Sequence, residues 1–228
     1  MDRRRLIAFT CALVAVLFLG GAVALVATGN LCITSAARPD DAFEGTIPCY
    51  TASTDADGDG IDDQTDILEG ARAYVETRPC YRSAYYAAGH PNDGRGVCTD
   101  VVAQALLTAG YGLKDLMARD IAHDPEAYGI AAPNPAIDFR RVINQHTFFE
   151  RNAASLTCDF EDLAAWQGGD IAVFSDHVGI VSNRRNSDGI PYLIHHEGPF
   201  QLAYEDDGLA RRADDIVGHY RIDARIAN

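Results

Sequence analysis

Leu6 to Thr28 is a run of 23 residues without a charged side chain, preceded by the basic cluster Arg3-Arg4-Arg5. A stretch of that length spans a bilayer core as a helix and exceeds the roughly 7–15 residues of a signal-peptide core. The arginines predict a cytoplasmic N-terminus, with everything after about residue 30 outside. Residues 1–28 therefore read as a signal anchor with an extracytoplasmic C-terminal domain. The rival expectation is secretion after cleavage behind Thr34-Ser35-Ala36-Ala37. Through residues 29–66 the pattern is mixed and predicts a tether with little regular structure. It turns helical from Ile67 to Thr77, and residues 79–96 read as a tyrosine-bearing segment ending in a loop. After Cys98, Val101, Val102, Ala105, Leu106 and Ala109 recur on one helical face, and Gly110 is a natural C-terminal stop. Residues 131–152 begin as a proline-broken loop and enter a helix near Phe139. The period then changes. DIAVFS (170–175), HVGIVSN (177–183), PYLIHH (191–196) and GHYRI (218–222) are short, β-branched and separated by turn residues, as antiparallel strands are. Helices first and a small sheet last make an α+β domain over residues 67–228.

Charge narrows the partners. The chain carries −14, of which residues 1–37 contribute +2, so the remainder carries −16. Lys114 is the only lysine. Such a surface argues against nucleic acid or anionic lipid as a partner. Membrane contact is expected through the N-terminal helix alone.

The cysteines point to chemistry. Cys11 lies in the apolar run, leaving Cys32, Cys49, Cys80, Cys98 and Cys158 outside. An odd number in an oxidising space leaves one thiol over. Cys98 sits where the glycines of GRGVC hand over to a helix, and a helix N-terminus stabilises a thiolate. If Cys98 is the free thiol, the other four can form two disulfides in any of three connectivities. In the rival arrangement Cys98 is bridged and another cysteine is free.

A nucleophile needs a base. His177 heads a strand, and a five-residue loop (184–188) would pair Asn183 with Gly189 and thus His177 with His195. That makes His177 the base and His195 its orienter. A two-residue Asp188-Gly189 turn would shift the parity and put His196 on that face instead. Asp100, two residues from the thiol, disfavours a thiolate and suits the first turn of the helix better. Tyr81 or Tyr85 could donate to an oxyanion, with packing as the alternative. Arg140 and Arg141 could clamp a substrate carboxylate bidentately, or serve as a structural or solvated pair.

Asp55, Asp57, Asp59, Gly60, Ile61, Asp63 and Asp66 match positions 1, 3, 5, 6, 7, 9 and 12 of a calcium loop, with Ile61 giving its carbonyl. Asp at the last position in place of Glu implies weaker binding. The expectation is a structural calcium ion, with no cofactor for catalysis. The alternative is a flexible acidic linker.

GVCTDVVAQAL, GGDIAVF, DHVGIV and YLIHHEG stand in the order seen in NlpC/p60-type cell-wall cysteine peptidases, which this chain resembles. It more closely resembles the bacterial family of domain of unknown function 1287, with blocks similar to GRGVCTD, IDFRRVIN, DHVGIVS, IHHEG and GHYR across about residues 67–223. Phe139, Ile143 and His196 depart from that family's usual His, Pro and Asn. The resemblance implies a papain-like fold and a Cys98-His177-His195 triad cleaving amide bonds, with peptidoglycan stem peptides as substrate. An acyl transferase or deamidase would use the same residues. Two alternatives come from other classes. One is a non-catalytic, calcium-dependent cell-surface binding module with a relic site. The other is a metal hydrolase built on His177, His195 and His196, although no HExxH spacing is present.

Overall fold

The structure, a computed structural model, describes residues 3–227. Helix α1 (Arg3–Ala27) is apolar all round, and its Phe9–Ala27 portion has a mean hydropathy of 2.5. It is long and apolar enough to cross a membrane, as an anchor or as a signal sequence. Helix α2 (Asp63–Glu76) starts four residues before the expected Ile67. Asp62 caps it, accepting from the Thr65 N–H and from Thr65 Oγ1, the latter at 2.7 Å. Helix α3 (Cys98–Thr108) ends before Gly110, whose φ of +81° suits glycine. Helix α4 (Leu113–His123) follows. Helix α5 (Val142–Asn152) begins after a single 3₁₀ turn at Asp138–Arg140, later than the sequence suggested.

Strands β1 (Cys80–Tyr81) and β2 (Arg95–Gly96) form a small parallel pair beside the start of α3. The main sheet is antiparallel throughout. Its strands are β3 (Ala154–Ser155), β4 (Ile171–Phe174), β5 (Val178–Arg185), β6 (Pro191–Ile194), β7 (Glu205–Asp206) and β8 (Ile216–Arg221), in the order β3-β8-β4-β5-β6-β7. A four-residue helix, α6 (Gly208–Arg211), follows β7. Both faces of the sheet are covered, which is why β4 is buried at every position. Ile171 and Val173 pack with Ile67, Val101 and Leu106 from α2 and α3. Ala172 and Phe174 pack with Trp166, Leu193 and Leu209 on the other side. The helices carrying the cysteine thus lie on a small antiparallel sheet.

Asp170, fully buried at the head of β4, holds several elements together. It accepts from His219 Nε2 at 2.9 Å, Arg221 Nε at 2.7 Å, and Gln64 Nε2 and the Gln167 N–H at 2.8 Å each.

Residues 29–62 correct the expectation of a tether. They have little regular structure, yet they lie along the domain and bond to it. Cys32 is disulfide-linked to Cys80, with Cα atoms 5.0 Å apart. Ser35 bridges Ala203, and the buried Thr34 donates to the Gln201 carbonyl at 2.8 Å. Further along, the Tyr50 N–H reaches Gln167 Oε1 at 2.9 Å. The cysteine arithmetic also changes. Among the described residues one bridge forms rather than two, and Cys49 and Cys158 are exposed free thiols beside the free Cys98.

Candidate active site

Cys98 opens α3 because the preceding turn is tightly specified. Gly96 touches the Tyr74 phenol so closely that a Cβ there would lie 2.1 Å from its oxygen. Val97 is extended, and Asp100 reaches back to accept its N–H at 2.9 Å. Both Asp100 oxygens also take the Arg140 guanidinium, at 2.7 and 2.8 Å, in a pair almost wholly withdrawn from water. The carboxylate beside the thiol is therefore neutralised locally. This corrects the substrate-clamp expectation for Arg140, since its donors point at Asp100 and at the Ala84 carbonyl, 2.6 Å away. Arg141 is exposed at the start of α5. Tyr85 is 60% exposed and turned outward. Tyr81 is the tyrosine that borders the site: burial, and then the proximity of a Cys98 thiolate, raise its phenol, and its ring meets His196 edge-on at 5.2 Å.

His177 lies directly before β5, and the N–H of the next residue, Val178, is hydrogen-bonded to the Cys98 sulfur. His177 Nε2 is 2.7 Å from His195 Nδ1, and His195 Nε2 is 3.0 Å from Asp206 Oδ1. Three neighbouring strands supply this row. The register differs from the expected one by two residues near the site, because Ile180 faces Ile194 and the loop spans residues 186–190. His195 therefore continues opposite Gly179 instead of opposite His177. A shift of two keeps the parity, so His177 and His195 share a face, and the Asp188-Gly189 turn does not set the register. Gly179 makes the diagonal contact possible, since a Cβ there would lie 3.0 Å from the His195 Cβ. On the far side Leu193 faces Asp206, which puts Asp206 on the same face again. Gly208 closes over the pair, where a Cβ would lie 2.9 Å from His195 Nε2.

Donor matching fixes the tautomers. Asp206, held below the usual carboxylate range against the opposing effect of burial by the His195 bond and the Arg211 charge, can only accept. His195 then carries its proton on Nε2 and accepts at Nδ1. His177 donates from Nε2, which leaves the lone pair of Nδ1, the ring nitrogen nearer the backbone, free to take a proton. Asp206 is the member that sequence reasoning missed.

The resting protonation corrects a second expectation. Burial pushes the Cys98 thiol up to about 11, outweighing the N–H groups of Val178 and Thr99 that favour the thiolate, and Asp100 adds to the rise. Burial, then the charges of His195 and Arg212, push His177 down to about 2. Both shifts favour the neutral forms of the thiol and the imidazole. His196 is buried with ring contacts to Tyr81 and Tyr204, and burial lowers it to about 4. With His177 and His195 aiming nitrogens at each other, the three histidines do not converge on a common point as zinc ligands would.

The acidic loop lies elsewhere. Asp55, Asp57 and Asp59 place ligand oxygens within 4.8 Å of one another. Ile61 is exposed and donates its N–H to Asp59 Oδ1 at 2.8 Å. Asp63 departs from its expected role. It is buried, with Oδ1 taking the Ala56 N–H at 2.8 Å and Oδ2 the Tyr111 hydroxyl at 2.6 Å. Asp66 is buried at the first turn of α2.

A family model described as a domain of unknown function (DUF1287) matches residues 68–222. A relative from Escherichia coli strain K12, uncharacterized protein YijF, is 34% identical over 168 residues, which cover 68% of this chain and 80% of the relative. No solved structure matches.

Proposed function

We propose that this chain, which belongs to the DUF1287 family, is an exported, membrane-anchored thiol hydrolase that cleaves amide bonds with Cys98, His177 and His195, aligned by Asp206. The observation that carries this reading is the row Asp206–His195–His177, which leaves an Nδ1 lone pair on His177, the residue before Val178, whose N–H acts on the helix-borne Cys98 sulfur.

The neutral resting pair sets the order of events. As the sulfur attacks a carbonyl carbon, its proton moves to His177 Nδ1 and an S–C bond forms, so a free thiolate need not accumulate. The N–H groups at the first turn of α3 and the Tyr81 hydroxyl are the available donors for the developing oxyanion. The imidazolium that forms is stabilised through His195 by the Asp206 carboxylate, which Arg211 also holds in place. His177 returns the proton to the leaving amine as the C–N bond breaks. Water, losing a proton to His177, then opens the thioester and restores the thiol.

Contacts after α1 support retention of the anchor. Cleavage behind Ala37 would remove Cys32 of the disulfide, the buried Thr34 and the Ser35 bridge to Ala203. A segment bonded into the domain in this way is a poor one to discard. Peptidoglycan stem peptides as substrate, and a papain-like arrangement of the domain, rest on the likeness to NlpC/p60-type peptidases. Acyl transfer or deamidation would use the same residues.

Mass spectrometry of muropeptides incubated with the full-length protein in detergent tests the proposal. Cleavage of a stem-peptide amide by wild type and none by Cys98→Ala is expected. Equal cleavage by both proteins would reject Cys98 as the nucleophile.

A further inference from the structure

We propose that residues 55–66 bind one calcium-sized divalent cation, closed by the buried carboxylate of Asp66, and that the ion fastens this loop to the head of α2. The proposal stands independently of the chemistry at Cys98.

The exposed trio Asp55, Asp57 and Asp59 would say little alone, since acidic surface clusters are common. Asp66 supplies the second observation. It is only 6% exposed, and its Oδ2 is fully buried with no hydrogen-bond donor. Leaving a carboxylate oxygen in that state is costly. The charges that bear on it are those of Asp59, Asp57, Asp63 and Asp55, all negative. Elsewhere this protein satisfies its buried carboxylates from within. Asp100 has Arg140, Asp170 has Arg221 and His219, and Asp63 has Tyr111 and the Ala56 N–H. Among the described residues Asp66 is the exception, and what it lacks is a positive charge to offset the acidic loop that bears on it.

The donors are oxygens only, which suits a hard cation and excludes the thiol- and imidazole-seeking metals. Several carboxylates on a flexible loop favour calcium over magnesium, which demands a tight octahedron and keeps its waters. The ligand set differs from the calcium-loop pattern at position 9. Asp63 is buried with its oxygens turned to the Ala56 N–H and the Tyr111 hydroxyl, whereas Asp55, Asp57 and Asp59 are exposed and group their oxygens, so these three and Asp66 carry the site.

The position assigns a role. Gly110, just past the end of α3, leaves room for the loop, since a Cβ there would lie 3.1 Å from the Asp57 Cβ. Cys98 is at the opposite end of that helix, about 15 Å away for 11 residues. An ion here is remote from the thiol. It bridges the exposed loop to α2, whose Gln64 already holds Asp170.

Calorimetric titration of the full-length protein in detergent with calcium chloride, paired with thermal melting, tests this on wild type, Asp59→Asn and Asp66→Asn. Expected are one calcium per chain, a higher melting midpoint with calcium, and affinity at least about tenfold weaker in both variants. Magnesium at equal concentration should raise the midpoint less. No binding at millimolar calcium, unchanged affinity in Asp66→Asn, or an equal magnesium effect would overturn the proposal. If Asp66→Asn does not fold, the exposed Asp59→Asn decides alone.

Discussion

Two histidine–aspartate pairs sit in the same sheet at almost the same distance. His219 Nε2 is 2.9 Å from Asp170, and His195 Nε2 is 3.0 Å from Asp206. Their second nitrogens separate them. His219 Nδ1 faces the Thr157 carbonyl at 2.7 Å, and its ring stacks on Trp166 at 3.7 Å. Both of its nitrogens therefore meet oxygens that only accept, and neither presents a lone pair that could take a proton from a nucleophile. His195 Nδ1 faces another imidazole, whose own Nδ1 keeps a lone pair. A histidine–aspartate pair is not a site by itself; the fate of the other nitrogen decides. We assign the first pair to holding the sheet and the second to chemistry.

Replacing each aspartate should give opposite phenotypes. Asp170→Asn removes the charge partner of Arg221 and a hydrogen-bond hub with no exposure to water. It should cost about 3–5 kcal/mol in urea unfolding, the scale of a broken buried pair. A loss below about 1 kcal/mol would mean that the hub is not structural.

Asp206→Asn should do the reverse. Asp206 is partly exposed at the sheet edge, so stability should change by no more than about 1 kcal/mol. An amide offers a donor as well as an acceptor and no longer dictates the His195 tautomer. Turnover should fall about 10²-fold, mainly in kcat. His195→Ala should fall at least as far. Because the Asp206 carboxyl lies below its ordinary 3.8, this support is present above about pH 4 and lost as pH falls through the lowered value. An unchanged kcat in Asp206→Asn would remove it from the row.

The neutral resting thiol predicts a pH profile. Iodoacetamide should label the exposed Cys49 and Cys158 first near neutral pH. Labelling of Cys98 should then climb about tenfold per pH unit toward its raised value, because only the thiolate reacts. Peptide mapping at several pH values measures this. A plateau from about pH 6 would reveal a preformed thiolate–imidazolium pair. The smallest effect is expected at Gly208→Ala, whose new methyl would press on His195 Nε2 and Asp206 Oδ1. A few-fold loss in kcat at unchanged KM is expected for so slight a displacement.

The helix bearing Cys98, the strands of the last third and the shared face of His177 and His195 were legible from periodicity. Face survives a two-residue register error, whereas opposite partners do not, which is why His195 was found with the wrong neighbour. Asp206 gave no signal. It lies in the acidic run Glu205-Asp206-Asp207, on a two-residue strand that only pairing with β6 defines. The Arg140–Asp100 pair joins residues 40 apart, and no local pattern announces such a partner. The neutral thiol was missed for a similar reason. A helix N-terminus is visible in sequence, but the partial burial of Cys98 where α3 packs against β5 is a tertiary fact.

The most direct measurement is mass analysis of full-length protein mixed with muropeptides and quenched in acid before turnover is complete. A stem-peptide acyl adduct is expected on the peptide containing Cys98, absent in Cys98→Ala and formed about 10²-fold more slowly in Asp206→Asn. Cleavage with no adduct on Cys98, at a rate indifferent to both substitutions, would contradict the thiol mechanism.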